Sequence, residues 1–264
     1  MRTPRFIAVA IAPLLAALLA LLGAAPAHSA GPRYVALGDS YSAGLGAGSY
    51  DAASGACKRS TKAYPALWAA AHAPSAFDFT ACSGATTTDV TDSQLGPVDA
   101  ATGLVSVTVG GNDAEFSDVM TTCVLSSQAA CLDRVATART FIDGTLPGLL
   151  DHTYDAIRAK GPHAHVVVLG YPRVYQVPGD CVLGLSDASR KAIDAAADDL
   201  DDVLAKRAAD HGFTFADVRS AFSAHELCSP SPWLHSVTLP VDESYHPTAT
   251  GQSHGYLLPF TGAA

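Results

Sequence analysis

Positive charge is scarce in this chain. Lys and Arg number 16 against 25 Asp and Glu, for a formal charge of −9 over 264 residues. Two of the basic residues, Arg2 and Arg5, lie in the first thirty positions, which hold no acid. Without that stretch 14 basic and 25 acidic residues remain, and the formal charge is −11. Such a balance argues against nucleic acid and anionic membrane surfaces as electrostatic partners. Metal-binding patterns are missing as well. The six cysteines form no Cys-x-x-Cys and no cluster with histidine, so no metal centre is expected. After residue 30 no apolar run is long enough to span a bilayer, so stable membrane insertion is not expected either.

The first thirty residues form a separate object. After the short basic start, residues 6–22 are almost wholly apolar, and Ala24, Ala25, Ala27, Ser29 and Ala30 follow. This is the layout of a secretory signal peptide, cut after Ala27 or Ala30. A membrane anchor is the competing reading, and the stretch of small residues disfavours it. The expected organisation is a signal peptide over 1–30 and one domain over 31–264, in a secreted, extracellular protein. Cys57, Cys82, Cys123, Cys131, Cys181 and Cys228 all belong to the second part. An even count in an exported chain reads as three disulfides, with fifteen pairings open. Sequential pairing is the simplest, because each bridge then closes a local loop.

Strand-like and helix-like runs alternate along the domain. Residues 33–37, 76–80, 104–109, 165–169 and 213–217 are the strand candidates, and 165–169 (His-Val-Val-Val-Leu) has the pattern of a strand buried on both faces. Pro65 can open a helix, and residues 135–158 carry helical spacing with a break expected near Pro147-Gly148. The clearest helix runs from Ser186, an N-cap, to His211 and Gly212. Its Asp198, Asp199, Asp201 and Asp202 read as a solvated face. The pattern predicts an α/β domain with a parallel sheet, whose sites form beyond the carboxyl ends of the strands.

Polar turns stand at those ends: Gly38-Asp39-Ser40-Tyr41-Ser42, then residues 81–87 around Gly84, then Gly110-Gly111-Asn112-Asp113. A fourth polar segment, Asp242-Glu243-Ser244-Tyr245-His246-Pro247, lies near the C-terminus. Ester hydrolysis needs a hydroxyl nucleophile, a base within hydrogen-bond reach and donors aimed at the developing oxyanion. Ser40 can supply the nucleophile and a backbone N–H, Gly84 a second N–H, Asn112 a side-chain donor and His246 the base. Each residue has an ordinary alternative: helix caps for Ser40 and Asn112, a turn for Gly84, a surface or core position for His246. The case rests on their joint placement. A nucleophile of the α/β-hydrolase kind would sit in Gly-x-Ser-x-Gly well inside the chain, and no such elbow is read here.

These four blocks, in this order, resemble the SGNH (GDSL) hydrolase family, over essentially the whole domain. The likeness is greatest to small secreted lipases of streptomycetes. The resemblance implies a three-layer α/β/α, flavodoxin-like fold around a parallel five-stranded sheet. It implies Ser40 as nucleophile and His246 as base, with the Ser40 N–H, the Gly84 N–H and the Asn112 side chain as oxyanion hole. It also implies disulfides 57–82, 123–131 and 181–228, and no metal or organic cofactor. One position departs from the family pattern, which has Asp three residues before the histidine; here that residue is Glu243, beside Asp242. Glu243, a backbone carbonyl near Ser244, or Asp242 could orient His246.

The expected activity is that of a lipase or esterase on fatty acyl esters such as acylglycerols, phospholipids or Tweens, with the protein a monomer. An esterase on decorated polysaccharide of the acetyl-xylan type is the alternative, and an inactive binding protein on the same scaffold a remoter one. A lipid substrate needs an apolar groove, for which residues 234–241 and 256–260 are the candidates.

Overall fold

Five short runs, rich in aliphatic and β-branched residues at the centre and carrying phenylalanine at the edges, form the strands in the computed structural model, which describes residues 1, 3, 31–181 and 184–264. Apart from residues 1 and 3, the expected signal peptide lies outside the described residues. The strands are β1 (Arg33–Gly38), β2 (Phe77–Phe79), β3 (Thr102–Thr108), β4 (His165–Leu169) and β5 (Thr214–Ala216). All pairings are parallel, in the order β2-β1-β3-β4-β5. Val35 pairs with Val105, and Val105 in turn with Val166. Residues 34–37, 104–107 and 166–169 are almost completely shielded from solvent. Continuous apolar strands of this kind require cover on both faces, which only flanking helices supply.

The helices are α1 (Ser40–Ala43), α2 (Tyr64–His72), α3 (Thr87–Asp89), α4 (Phe116–Leu125), α5 (Gln128–Gly144), α6 (Leu146–Lys160), α7 (Asp187–Asp210), α8 (Arg219–Phe222) and α9 (Leu257–Ala263). A π-helical turn, Val90–Gln94, continues α3, and another, Gly251–Tyr256, precedes α9. Helices α2 and α9 pack with the second π turn on one side of the sheet, and α4 to α7 pack together on the other. This is the expected three-layer α/β/α arrangement with flavodoxin-like strand order. The order reverses between β1 and β3, so the crevice at their carboxyl ends is the topological switch point where ligands bind in such sheets.

Local chemistry accounts for most helix ends. Ser186 caps α7 by accepting from the Ser189 amide, with Asp187 in the first turn and Arg207 in the last. The break expected at Pro147-Gly148 falls at Thr145 instead. Pro147 stands in the first turn of α6, where its missing N–H removes no intrahelical bond, so it starts a helix rather than interrupting one. The acidic face of α7 also needs correction. Asp198 meets Arg173 and Arg219, and Asp199 meets Arg139, near the surface. Asp201, by contrast, is fully buried and accepts the Tyr171 amide at 2.7 Å. Asp194, two turns earlier, accepts the Val174 and Tyr175 amides. The loop after β4 crosses this face, and its buried amides require acceptors.

Three disulfides join Cys57 to Cys82, Cys123 to Cys131 and Cys181 to Cys228. The first bridge ends two residues before Gly84.

Candidate active site

The strand-to-helix turn after β1 is built by glycine and aspartate. Gly38 has φ of 121°, and a Cβ there would lie 2.4 Å from the Thr108 carbonyl oxygen, so only glycine lets β1 and β3 close at the crevice. Gln94 clamps the same peptide, accepting the Gly38 amide at 2.7 Å and donating to its carbonyl at 2.9 Å. Asp39, not Ser40, is the N-cap of α1. Its carboxylate accepts the Tyr41 amide at 2.9 Å, the Thr108 hydroxyl at 2.6 Å and the Tyr171 hydroxyl. Burial pushes the Asp39 carboxyl up to about 6, against the pull of these donors.

Ser40 is the first helical residue, so its amide is one of the first-turn N–H groups that lack an intrahelical acceptor. Its Oγ lies 2.7 Å from His246 Nε2. On the other side of the ring, His246 Nδ1 lies 3.0 Å from the Ser244 carbonyl oxygen. A carbonyl can only accept, so Nδ1 carries the proton and Nε2 is left to accept from Ser40. Burial lowers the His246 pKa to about 4; the Ser244 carbonyl and the Asp242 carboxylate oppose this only in part.

Backbone pairing fixes the histidine. Residues 235–246 form a loop closed at its base, where the His235 amide donates to the His246 carbonyl and the Tyr245 amide to the His235 carbonyl. Tyr41 ties this loop to the serine. Its hydroxyl donates to the Tyr245 carbonyl at 2.8 Å, and its ring centre lies 5.1 Å from the imidazole. Of the three groups expected to orient His246, the Ser244 carbonyl is the one at Nδ1. The Glu243 carboxylate instead accepts the Tyr50 hydroxyl at 2.7 Å. Asp242 is exposed and borders the cavity described below. Its side chain is within electrostatic range of the ring, without a hydrogen bond to it.

The oxyanion-hole candidates gather on the opposite wall. Gly84 has φ of 83°, the left-handed region, and a Cβ there would meet nothing within 4 Å. The flanking Ser83 and Ala85 amides donate to the Cys57 and Cys82 carbonyls. Asn112 Nδ2 donates one hydrogen to the Ala85 carbonyl at 2.9 Å, which leaves the second free for a ligand. Asp113 ties the loops after β2 and β3 together by accepting the Thr87 amide and its hydroxyl, the latter at 2.6 Å. Ser40, Gly84, Asn112 and His246 thus share one cavity of about 180 Å³.

That cavity continues inward between α4, α5 and α7, along Phe116, Val119, Ile142, Ile193, Ala197 and Leu200. An aliphatic lining with a few convergent polar groups at one end suits a largely apolar guest. The expected groove from residues 234–241 and 256–260 is not the one observed. Tyr256 and Phe260 are core residues, and Val237, Leu239 and Val241 point to solvent. The aliphatic wall comes instead from helices whose stripes read, in sequence, as ordinary core. Contrary to the sequence expectation, Gly251-Gln252-Ser253-His254-Gly255 does satisfy Gly-x-Ser-x-Gly. It forms the second π turn rather than a strand-to-helix elbow, and Ser253 Oγ bonds to Thr250 O and His254 Nδ1. Gly255 is there because a Cβ would lie 2.2 Å from the Phe222 ring.

The GDSL-like lipase/acylhydrolase family model matches residues 36–254. A lipase of Streptomyces rimosus is 63 % identical over 97 % of this chain and 97 % of that protein. The crystal structure of an extracellular lipase from the same organism superposes with a TM-score of 0.87, at 64 % identity, over 88 % of this chain and all of that one. A phospholipase A1 from Streptomyces albidoflavus gives the same TM-score at 59 % identity, over 89 % of this chain and all of that one.

Proposed function

The chain belongs to the GDSL-like lipase/acylhydrolase family, and from that premise we propose that it hydrolyses fatty acyl esters by acyl transfer through Ser40 and His246. It is a carboxylic ester hydrolase. The observation that carries the assignment of roles is the 2.7 Å contact between Ser40 Oγ and His246 Nε2 at the mouth of an aliphatic cavity. Neutral His246 takes the Ser40 proton as Oγ attacks the ester carbonyl. The oxyanion is held by the Ser40 and Gly84 amides and by Asn112 Nδ2. The imidazolium then gives its proton to the leaving alcohol, and water repeats the sequence on the acyl-enzyme.

The Ser244 carbonyl takes the place of a triad acid. It fixes the tautomer of His246 as a carboxylate would, with a dipole in place of a full charge. Burial of the ring complements this: the base stays unprotonated well into acid. The cavity walls favour an acyl chain over a sugar, since they are mainly aliphatic. Trp233, the aromatic best suited to stack on a sugar, stacks on His225 with ring centres 3.6 Å apart. Acylglycerols, phospholipids and Tweens are the proposed substrates. Secretion is proposed from the leader-like first thirty residues and the disulfides, in line with the extracellular relative. A monomer is proposed because one chain supplies every group of the site.

Fluorophosphonate labelling of the wild type and of Ser40→Ala tests the roles, together with rates across p-nitrophenyl esters of increasing chain length. Labelling that persists in Ser40→Ala, or a rate that peaks only at acetate, defeats the reading.

A further inference from the structure

Exposed aliphatic side chains are concentrated around the catalytic cleft. Among the described residues of the domain, the large aliphatic side chains open to solvent are Val124, Leu125, Val237, Leu239, Val241 and Leu258. All but Leu258 belong either to the loop that carries His246 or to α4, whose first turns line the cavity. Leu239 and Val241 stand at the tip of the 235–246 loop, 88 % and 70 % exposed. The loop is not a loose strand of chain. Its base is paired at His235 with Tyr245 and His246, and within it the Thr238 amide donates to Ser244 Oγ and the Glu243 amide to the Pro240 carbonyl.

The two apolar groups adjoin at Val124 and Val237, beside the site. Val124 and Val237 line one surface depression together with Tyr245. The Tyr245 ring packs edge-on against Phe116, which lines the catalytic cavity. Asp242, next to Val241, also borders that cavity. Apolar patches of this kind mark interaction surfaces. The charge of the patch narrows the partner: the depression shared by Val124 and Val237 is lined also by Asp180 and by Arg190, which is buried and paired with Asp187. Residues 235–246 contain no Lys or Arg and two acids, Asp242 and Glu243, and residues 119–132 contain no charge at all. A surface of this composition has no attraction for anionic lipid.

We propose that Leu239 and Val241 at the loop tip, with Val237 and the Val124-Leu125 end of α4, form a preformed docking surface for an uncharged or zwitterionic lipid interface. Docking there brings the interface to the mouth of the Ser40–His246 cleft. The inference rests on the lipase reading above and adds to it where the enzyme meets its aggregated substrate. An aliphatic side chain moved from water into acyl chains contributes roughly a factor of ten in partitioning.

The test is cosedimentation of the full-length mature protein with phosphatidylcholine vesicles, alongside kcat/KM on a water-soluble p-nitrophenyl ester. Wild type is expected to bind, and Leu239→Ser/Val241→Ser to bind at least tenfold more weakly. Leu239→Phe should bind like wild type, and so should Leu258→Ser, which lies outside the patch. The soluble ester should be turned over equally by all four. Unchanged binding of the double serine variant overturns the proposal, as does equal weakening by Leu258→Ser. Binding confined to phosphatidylglycerol vesicles and lost in salt also overturns it. The two readings fail separately. A protein that binds vesicles but hydrolyses no ester refutes the lipase assignment, and an active esterase that ignores phosphatidylcholine refutes the docking surface.

Discussion

The strongest quantitative consequence of the site concerns acid. His246 is half-buried and largely desolvated, and its Nδ1 faces a carbonyl, so nothing adjacent carries a full hydrogen-bonded negative charge to hold the imidazolium, and its pKa falls to about 4. At pH 5 a base with that pKa is about 90 % neutral, whereas one at the ordinary value of 6.5 is about 3 % neutral. The structure therefore predicts kcat/KM at pH 5 close to its neutral-pH value, some thirtyfold above what an unperturbed histidine would allow. The measurement is kcat/KM on a soluble ester between pH 4 and 8, because this ratio reports the free enzyme. A midpoint near 4 to 5 is expected, and a midpoint of 6 or above refutes the desolvated, carbonyl-bonded imidazole. Stability has its own signs. The folded-state pKa of His246 lies below the unfolded value, so between pH 6.5 and about 4 the unfolded chain binds more protons. The His246 contribution to stability is therefore lost as pH falls through that window. Asp39 and Asp194, both raised to about 6, act oppositely: their contribution is present below 3.8 and lost as pH rises through 6. Thermal unfolding recorded in parallel separates loss of fold from loss of the base.

Three further outcomes are expected. Glu243→Ala should keep kcat within about threefold, because its carboxylate serves Tyr50; a fall of roughly 10³-fold or more would make it a triad acid after all. Asn112→Ala should lower kcat by about 10²–10³-fold without moving KM comparably, and a near-normal rate removes Asn112 from the oxyanion hole. Ala197→Phe places a ring in the aliphatic cavity between α5 and α7. It should spare butyrate esters while cutting rates on laurate at least tenfold, by order of the apolar area it denies the chain; parallel rates on both would put the acyl chain elsewhere.

Much of this protein follows from sequence alone. Apolar runs such as 104–109 and 165–169 are buried on both faces as central strands between helical layers, so a parallel α/β sheet is determined by the sequence alone. The polar turns after the first three strands then had to meet at its carboxyl edge, and Ser40, Gly84 and Asn112 share a cavity for that reason. What tertiary structure alone decided are contacts between segments far apart in the chain. That the Ser244 carbonyl faces Nδ1 depends on the closure of the 235–246 loop and on Tyr41 holding Tyr245 from the other end of the sequence. Gln94, Tyr171 and Thr108 brace the turn that carries Ser40 from three parts of the fold, and nothing in their local sequence marks them. The buried Asp201 and the solvated Asp202 look alike in sequence, because only the path of the loop after β4 distinguishes one face of α7 from the next. The aliphatic cavity is the clearest case. An aliphatic stripe on a helix has the same pattern whether its neighbours fill the space against it or leave it open, and only packing separates core from cavity.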